Sequence, residues 1–358
     1  MRFIFKTDYN QDIQLAKHGG HVFWYSALLV FMVLAPWLVD EYWLAQLTFI
    51  LIYAIVGLGL MLLSGYTGQF SLGHAAFLGI GAYTEAVCIN AGWPLPLALF
   101  MAMGVSAAVG VGVAIPALRV RGVFLGMATL ALGIILEEVF ARWESVTAGN
   151  AGLFVNAPTM WGVDWMQAAP YYFLCLALTV VVTLGIINLL RSPTGRAFVA
   201  IRDSEVSAQS MGIPLARYKT LAFAISAALA GLGGALYAHK IMFLTPEQFG
   251  VIQSIDLLLL VVVGGLGSVH GAFLGAIFLI TMPSLISLGK DYLPAAIGES
   301  PGLAITVYGT VLVLFVLFEP LGLYGRWVKI RTYLQLFPLY RAGMFQRQKS
   351  FQKSDRLK

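Results

Sequence analysis

Charge is what this sequence lacks most. Aspartate, glutamate, lysine and arginine make up 11% of the 358 residues, while 59% are hydrophobic; a soluble domain carries roughly 25% charged residues. Mean hydropathy is +0.83. So little charge excludes an ordinary soluble globule and places the chain among polytopic membrane proteins. Cysteine is nearly absent. Cys88 and Cys175 each lie within an apolar run, which excludes a disulfide framework or a site of paired thiolates and leaves both as packing residues. No G-x-x-x-x-G-K-[ST] occurs, so the chain does not bind nucleotide through a P-loop of its own. Nor does it contain H-E-x-x-H, a G-x-S-x-G elbow or a spaced Cys/His cluster, so no hydrolase site, metal site or cofactor is expected. Mid-span carboxylates are also scarce. A proton- or sodium-coupled carrier is expected to hold them, so transport driven by a separate motor fits better. The net charge of +5 belongs to basic cytoplasmic loops, and nucleic acid is set aside as a partner.

What the chain has in abundance is apolar runs. A span needs about 20 apolar residues, and ten runs qualify: 22 to 39, 43 to 63, 70 to 90, 95 to 115, 122 to 140, 170 to 190, 220 to 238, 251 to 266, 269 to 288 and 302 to 318. The first ends in Pro36, Trp37 and Asp40 instead of a small-residue cleavage site, so it is expected to stay on the chain. With residues 1 to 21 placed in the cytoplasm, alternation puts 19 Lys/Arg inside and only Arg142, Lys240 and Lys290 outside. That bias predicts cytoplasmic N- and C-termini. The expected architecture is an all-α polytopic membrane protein with about ten transmembrane helices. It has a short N-terminal segment (1–21), a membrane domain (22–318) interrupted by a polar loop (191–219), and a basic tail (319–358).

The loop RSPTGRAFVAIRDSEVSAQSMGIPLARYK is the one long polar interruption in the middle of the chain. Ser192 with Pro193 is suited to start one short helix, Asp203 or Ser204 to cap a second, and Gly212 followed by Pro214 to stop it. A cytoplasmic helix-turn-helix between spans is a shape another protein can grip. Its second helix is expected to present Val206, Ala208 and Met211 as an apolar face, with Arg202 and Glu205 at the rim.

Two uncharged turns, 64 to 69 and 264 to 270, precede similar segments. GHAAFLGIGAY at 73 to 83 aligns with VHGAFLGAIFL at 269 to 279, His74 over His270 and Gly79 over Gly275. A Gly-interrupted segment repeated in two halves points to a transport pathway, because exposed backbone is tolerated in a bilayer only where it lines a cavity. The pathway candidates are Gly65, Gly68, Gln69, His74, Gly79, Gly264, Gly265, Gly267, His270 and Gly275. The competing explanation is close helix packing by small residues, and for the two histidines, hydrogen bonds to backbone. Glu85, Glu137, Glu138 and Asp256 are the in-span carboxylates, each costly if it faces lipid. Glu137, Glu138 and Asp256 fall near outer ends.

LSGYTGQFSLGHAAFLGIGAY at 63–83, TGRAFVAIRDSEVSAQSMGI at 194–213, VVVGGLGSVHGAFLGA at 261–276 and FEPLGLYGRW at 318–327 resemble LivM-type permease subunits of bacterial branched-chain amino acid ABC importers. The resemblance spans about residues 45 to 327. It implies that 194–213 contains the coupling helix that docks on an ATPase, with Arg202, Asp203, Glu205, Ala208 and Gly212 in that role. It also implies a LivH-like second permease subunit, two ABC ATPase subunits, a periplasmic solute-binding protein and a place in the inner-membrane bilayer. Related permeases handle urea, short amides and aromatic acids, so the solute stays open. A stand-alone secondary carrier and a structural membrane subunit without a pathway are the alternatives from other classes. From Arg326 to Lys358 nine basic residues face one acidic residue, Asp355, interleaved with aromatics. Such a tail suits an interfacial anchor on anionic lipid, or a contact with the ATPase or second permease.

Overall fold

The structure, a computed structural model, describes residues 19–117, 120, 122–160, 163–165, 167–290, 303–319 and 321–336. Most of the N-terminal segment, Arg119 and Arg121, and the tail beyond 336 lie outside the described residues.

Each apolar run becomes a helix, because a backbone inside a bilayer must satisfy its own hydrogen bonds. In chain order these are α1 (Gly19–Leu38), α2 (Glu41–Leu60), α3 (His74–Asn90), α4 (Leu95–Ala117), α5 (Val123–Arg142) and the single turn α6 (Glu144–Thr147). Then come α7 (Ala168–Arg191), α8 (Pro193–Asp203), α9 (Glu205–Ser210), α10 (Leu215–Ile241), α11 (Val251–Gly264), α12 (Val269–Lys290), α13 (Leu303–Phe318) and α14 (Gly322–Leu336). Among the described residues, seven helical stretches are long and apolar enough to cross a membrane. The apolar parts of α1 and α13 are shorter, and α3 has 17 residues. The fold is that of a helical polytopic membrane protein. Its only strands among the described residues are two-residue ladders, Leu153–Phe154 with Phe243–Leu244 and Thr159–Met160 with Val163–Asp164.

The ends of the helices differ from the predicted runs where charge or glycine intervenes. The run predicted at 220–238 is the middle of α10, which begins at Leu215 because Arg217 and Lys219 are themselves helical. The run predicted from 70 begins at His74, since 67–73 form a turn.

The centre of the molecule is α10 between α2, α3 and α4. Lipid tails are as apolar as leucine, so helices in a bilayer are held by close van der Waals approach more than by burial from water. Small residues supply that approach. A Cβ on Gly234 would overlap the carbonyl oxygen of Leu78, and one on Gly81 would overlap the backbone of Gly231. From Ile50 to Leu60 every residue of α2 is buried. By contrast α1 exposes Phe23, Trp24, Leu28 and Trp37, as expected of a helix at the periphery.

Among the described residues, connections gather at two ends. At one, Asn90 Nδ2 donates to the carbonyl oxygen of Phe154 at 2.8 Å and Asn156 N to Asn90 Oδ1 at 3.0 Å, while residues 153–154 pair with 243–244. At the other end lie the two glycine-rich turns, the 191–219 loop and the start of α14. Gly65 meets Gly267, Arg202 reaches Gly65, and Gly322 lies against Gly265.

Candidate functional site

The polar loop folds as its capping residues dictate. Ser192 is extended, its Oγ accepts from the Gly195 N–H at 3.4 Å, and Pro193 opens α8 with its fixed φ. Ala197, Phe198 and Ile201 turn inward, and Phe198 is fully buried beside Tyr218. The cap of the next helix is Ser204, not Asp203. Ser204 Oγ accepts from Ser207 N at 3.2 Å, whereas Asp203 ends α8 and receives Arg202 Nε and Nη2 at 3.1 and 3.0 Å. Gly212, with φ at +82°, takes the left-handed conformation that closes α9, and Ile213 N returns to the Ala208 carbonyl at 3.0 Å. Glu205 Oε1 pairs with Lys219 Nζ at 2.5 Å, and the lysine side chain is only 7% exposed, so α9 is pinned to the first turns of α10.

The apolar face predicted from Val206, Ala208 and Met211 is split. Val206 is 71% and Met211 81% exposed, but Ala208 is buried. Residues two apart stand about 200° from each other around a helix, so Val206 and Ala208 point to opposite sides. The outward surface of the hairpin is Val206 and Met211 with charged neighbours; Ala208 holds the hairpin down.

The first glycine-rich turn begins as a widened extension of α2, the π-helical turn Met61–Tyr66. Such turns are insertions that loosen a helix and recur at functional sites. Thr67 Oγ1 donates to the Leu63 carbonyl at 2.5 Å, Gln69 N donates to the same carbonyl at 3.0 Å, and Gln69 Nε2 donates to Thr67 Oγ1 at 3.1 Å. Gly68 follows at φ +71°, and in the second turn Gly265 and Gly267 stand at φ +116° and +79°. These are conformations that glycine adopts at no steric cost. The two turns touch. A Cβ on Gly65 would lie 2.5 Å from the Gly267 nitrogen, and Gly267 N lies 3.1 Å from Met61 Sδ.

The other pathway candidates sit in packing contacts within the chain. A Cβ on Gly79 would meet the rings of Phe140 and Phe249 at 2.7 and 2.9 Å. Gly264 faces the Gly271 carbonyl and Gly275 the Leu260 carbonyl, where α11 folds back on α12. Gly265 abuts Leu321 and Tyr324. Gln69 and His74 are buried. His74 Nε2 lies 3.0 Å from Ser226 Oγ, which donates to the Gly59 carbonyl at 2.6 Å. His270 Nε2 meets Tyr25 Oη at 2.7 Å, and its ring stacks on Tyr324 with centroids 5.5 Å apart.

One pair was not legible as a pair. Glu85 of α3 and His239 of α10 are both buried and joined by a short contact between Oε1 and Nε2. A carboxylate inside an apolar run demands a partner, but only alternation hints that residue 239 returns to the same end of the molecule. Glu138 is exposed and pairs with Arg142. Among the described residues no group of three or more His, Cys, Asp or Glu is placed to hold a metal ion.

Residues 42–317 match the family described as branched-chain amino acid transport system / permease component. A high-affinity branched-chain amino acid transport system permease protein, LivM, of Escherichia coli is 33% identical over 326 residues, covering 83% of this chain and 73% of the relative. LivM of Salmonella typhimurium is 33% identical over the same shares of the two chains. An autoinducer 2 import system permease protein, LsrC, of an Enterobacter species is 30% identical over 69% of this chain and 70% of its own length. No solved structure matches.

Proposed function

The chain belongs to the family of branched-chain amino acid transport system permease components, and on that premise we propose how its parts divide the work of an ATP-driven importer. It is a permease subunit of an ABC importer for branched-chain amino acids or related solutes, a multi-pass inner-membrane protein, and not itself an enzyme. The importer has a further permease, ATPase and binding-protein components. We assign these as a LivH-like second permease, two ATPase subunits and a periplasmic solute-binding protein.

In this assignment the chain crosses the membrane about ten times, with the hairpin end and both termini in the cytoplasm, a placement that the 19 to 3 distribution of basic residues supports. The domain division follows: residues 22–318 form the permease domain, with a cytoplasmic segment before it and a basic tail after it. Residues 203–212 are the coupling element. Arg202, Asp203 and Glu205 supply its charged edge, Val206 and Met211 the surface offered to the ATPase, and Ala208 and Gly212 its shape. The pathway passes the end where Gly65, Gly68 and Gly267 meet, while Gln69, His74, Gly79, Gly264, Gly265, His270 and Gly275 hold the helices around it.

The observation that carries this assignment is the exposure of Val206 on the capped, ion-paired helix α9 and of Met211 at its C-terminal end, in the hairpin whose Arg202 reaches the first glycine-rich turn. Large apolar side chains standing out from a short polar hairpin are what a docked partner covers. Reconstitution of the assembled subunits into liposomes, with labelled leucine, isoleucine, valine, urea and a short amide offered in turn, tests it. ATP-dependent uptake of one of these, lost when the ATPase subunits are omitted, is the expected result. Uptake without nucleotide would establish a secondary carrier instead.

A further inference from the structure

The hairpin also reaches the two helix breaks, and it does so through one side chain. Arg202, the penultimate residue of α8, lays Nε and Nη2 on Asp203 Oδ1 and donates from Nη1 to the carbonyl oxygen of Gly65 at 3.2 Å. Gly65 belongs to the π-helical turn. Gly68, three residues on, has no side chain where a Cβ would lie 3.3 Å from Arg202 Cγ. Gly267, in the second break, leaves the same kind of space: a Cβ there would lie 3.4 Å from Arg202 Nη1 and 3.5 Å from the Gly65 oxygen. One guanidinium therefore joins the hairpin to the first break and lies against the second. Its side chain is 37% exposed, so protein covers most of it while an edge stays in water.

We propose that Arg202 is the positioning residue that ties the cytoplasmic hairpin to both glycine-rich breaks. Displacement of the hairpin by a docked ATPase then reaches α2 directly, through the Gly65 carbonyl, and α12 through the Gly65–Gly267 contact. This rests on the hairpin being the ATPase seat. The chemistry suits arginine in particular. A guanidinium is a planar fork whose separate edges hold a carboxylate and a carbonyl at once, whereas a lysine ammonium is a point charge on a flexible stem. The first break suits the task as well, because a widened turn has already given up regular helical pairing and shifts at lower cost than a continuous helix. Glycine at 65, 68 and 267 lets the guanidinium and the two backbones approach.

The test is the number of solute molecules imported per ATP hydrolysed by the assembled importer in liposomes. Arg202→Lys keeps the positive charge and the bond to Asp203 but loses the second edge. The ratio is expected to fall about tenfold, the factor for losing one hydrogen bond made by a charged group, while ATPase subunits still co-purify. Arg202→Gln, which removes the positive charge along with the fork, is expected to lower the ratio at least as far.

An unchanged ratio in intact Arg202→Lys or Arg202→Gln complexes overturns the Arg202 link alone. Lower yield at an unchanged ratio also overturns it, since that is the signature of a merely structural strap. Absence of ATPase subunits from the wild-type complex overturns the seat itself, and the link with it.

Discussion

A methyl group on Gly275 would overlap the carbonyl oxygen of Leu260, so α11 and α12 touch there backbone to backbone. Forcing a side chain into such a contact costs about 1–3 kcal/mol. Gly275→Ala is therefore expected to lower the unfolding temperature in detergent and the amount of protein accumulated in the membrane. The check is a thermal melt followed by size-exclusion chromatography. The Glu85–His239 pair makes a second prediction at this scale. Removing one partner of a buried hydrogen-bonded pair leaves the other buried and unsatisfied, at a cost of about 1–3 kcal/mol or more, whereas replacing both by apolar residues can be nearly neutral. His239→Leu alone should melt well below the parent, and Glu85→Met with His239→Leu should recover most of the loss. No recovery in the double variant would show that the pair has further polar partners. Gly275 could be singled out from sequence, but its contact could not. Repeated glycines mark both broken helices and tight crossings, and only the distance to Leu260 separates the two.

At the scale of elements, the hairpin was the most legible part of the chain. Ser192–Pro193, Ser204 and Gly212–Pro214 are local signals, and local hydrogen bonds decide caps. The inward turn of Ala208 was not legible, because it depends on α9 lying against the start of α10 through Glu205 and Lys219. That orientation changes what substitutions do. Ala208→Arg, which a sequence reading treats as a surface change, is expected to reduce accumulation of the permease, because the added chain has no room at a buried position. Met211→Asp, at an exposed position, should leave accumulation at the parent level and weaken capture of the ATPase subunits by about tenfold or more, the loss typical of a central apolar contact. Quantifying permease and ATPase together after affinity purification separates the two effects. Equal retention of ATPase by Met211→Asp and parent would remove α9 from the interface. The meeting of Gly65 with Gly267 at Arg202 was equally out of reach, since it joins three segments distant in sequence.

Over the whole molecule, the side on which each connection lies is the expectation drawn from charge. Turns 64–69 and 264–270 carry no Lys or Arg, so sequence alone assigned their side only by alternation. In the structure they lie with the loop that carries Arg191, Arg196 and Arg202. A cysteine introduced as Ser350→Cys is expected to resist labelling from outside intact cells by a membrane-impermeant reagent and to react once the membrane is opened. Ready labelling in intact cells would reverse the orientation. The sequence motifs also spoke at this scale: three of the four segments that resemble LivM-type permeases lie within the family match over residues 42–317, and the fourth, 318–327, follows its end. What motifs do not carry is how motion passes between membrane and motor. The most direct measurement is solute-stimulated ATP hydrolysis by the assembled importer, parent against Met211→Asp. The account predicts stimulation by solute-loaded binding protein in the parent and its loss in the variant at equal permease content. Full stimulation in the variant would contradict it.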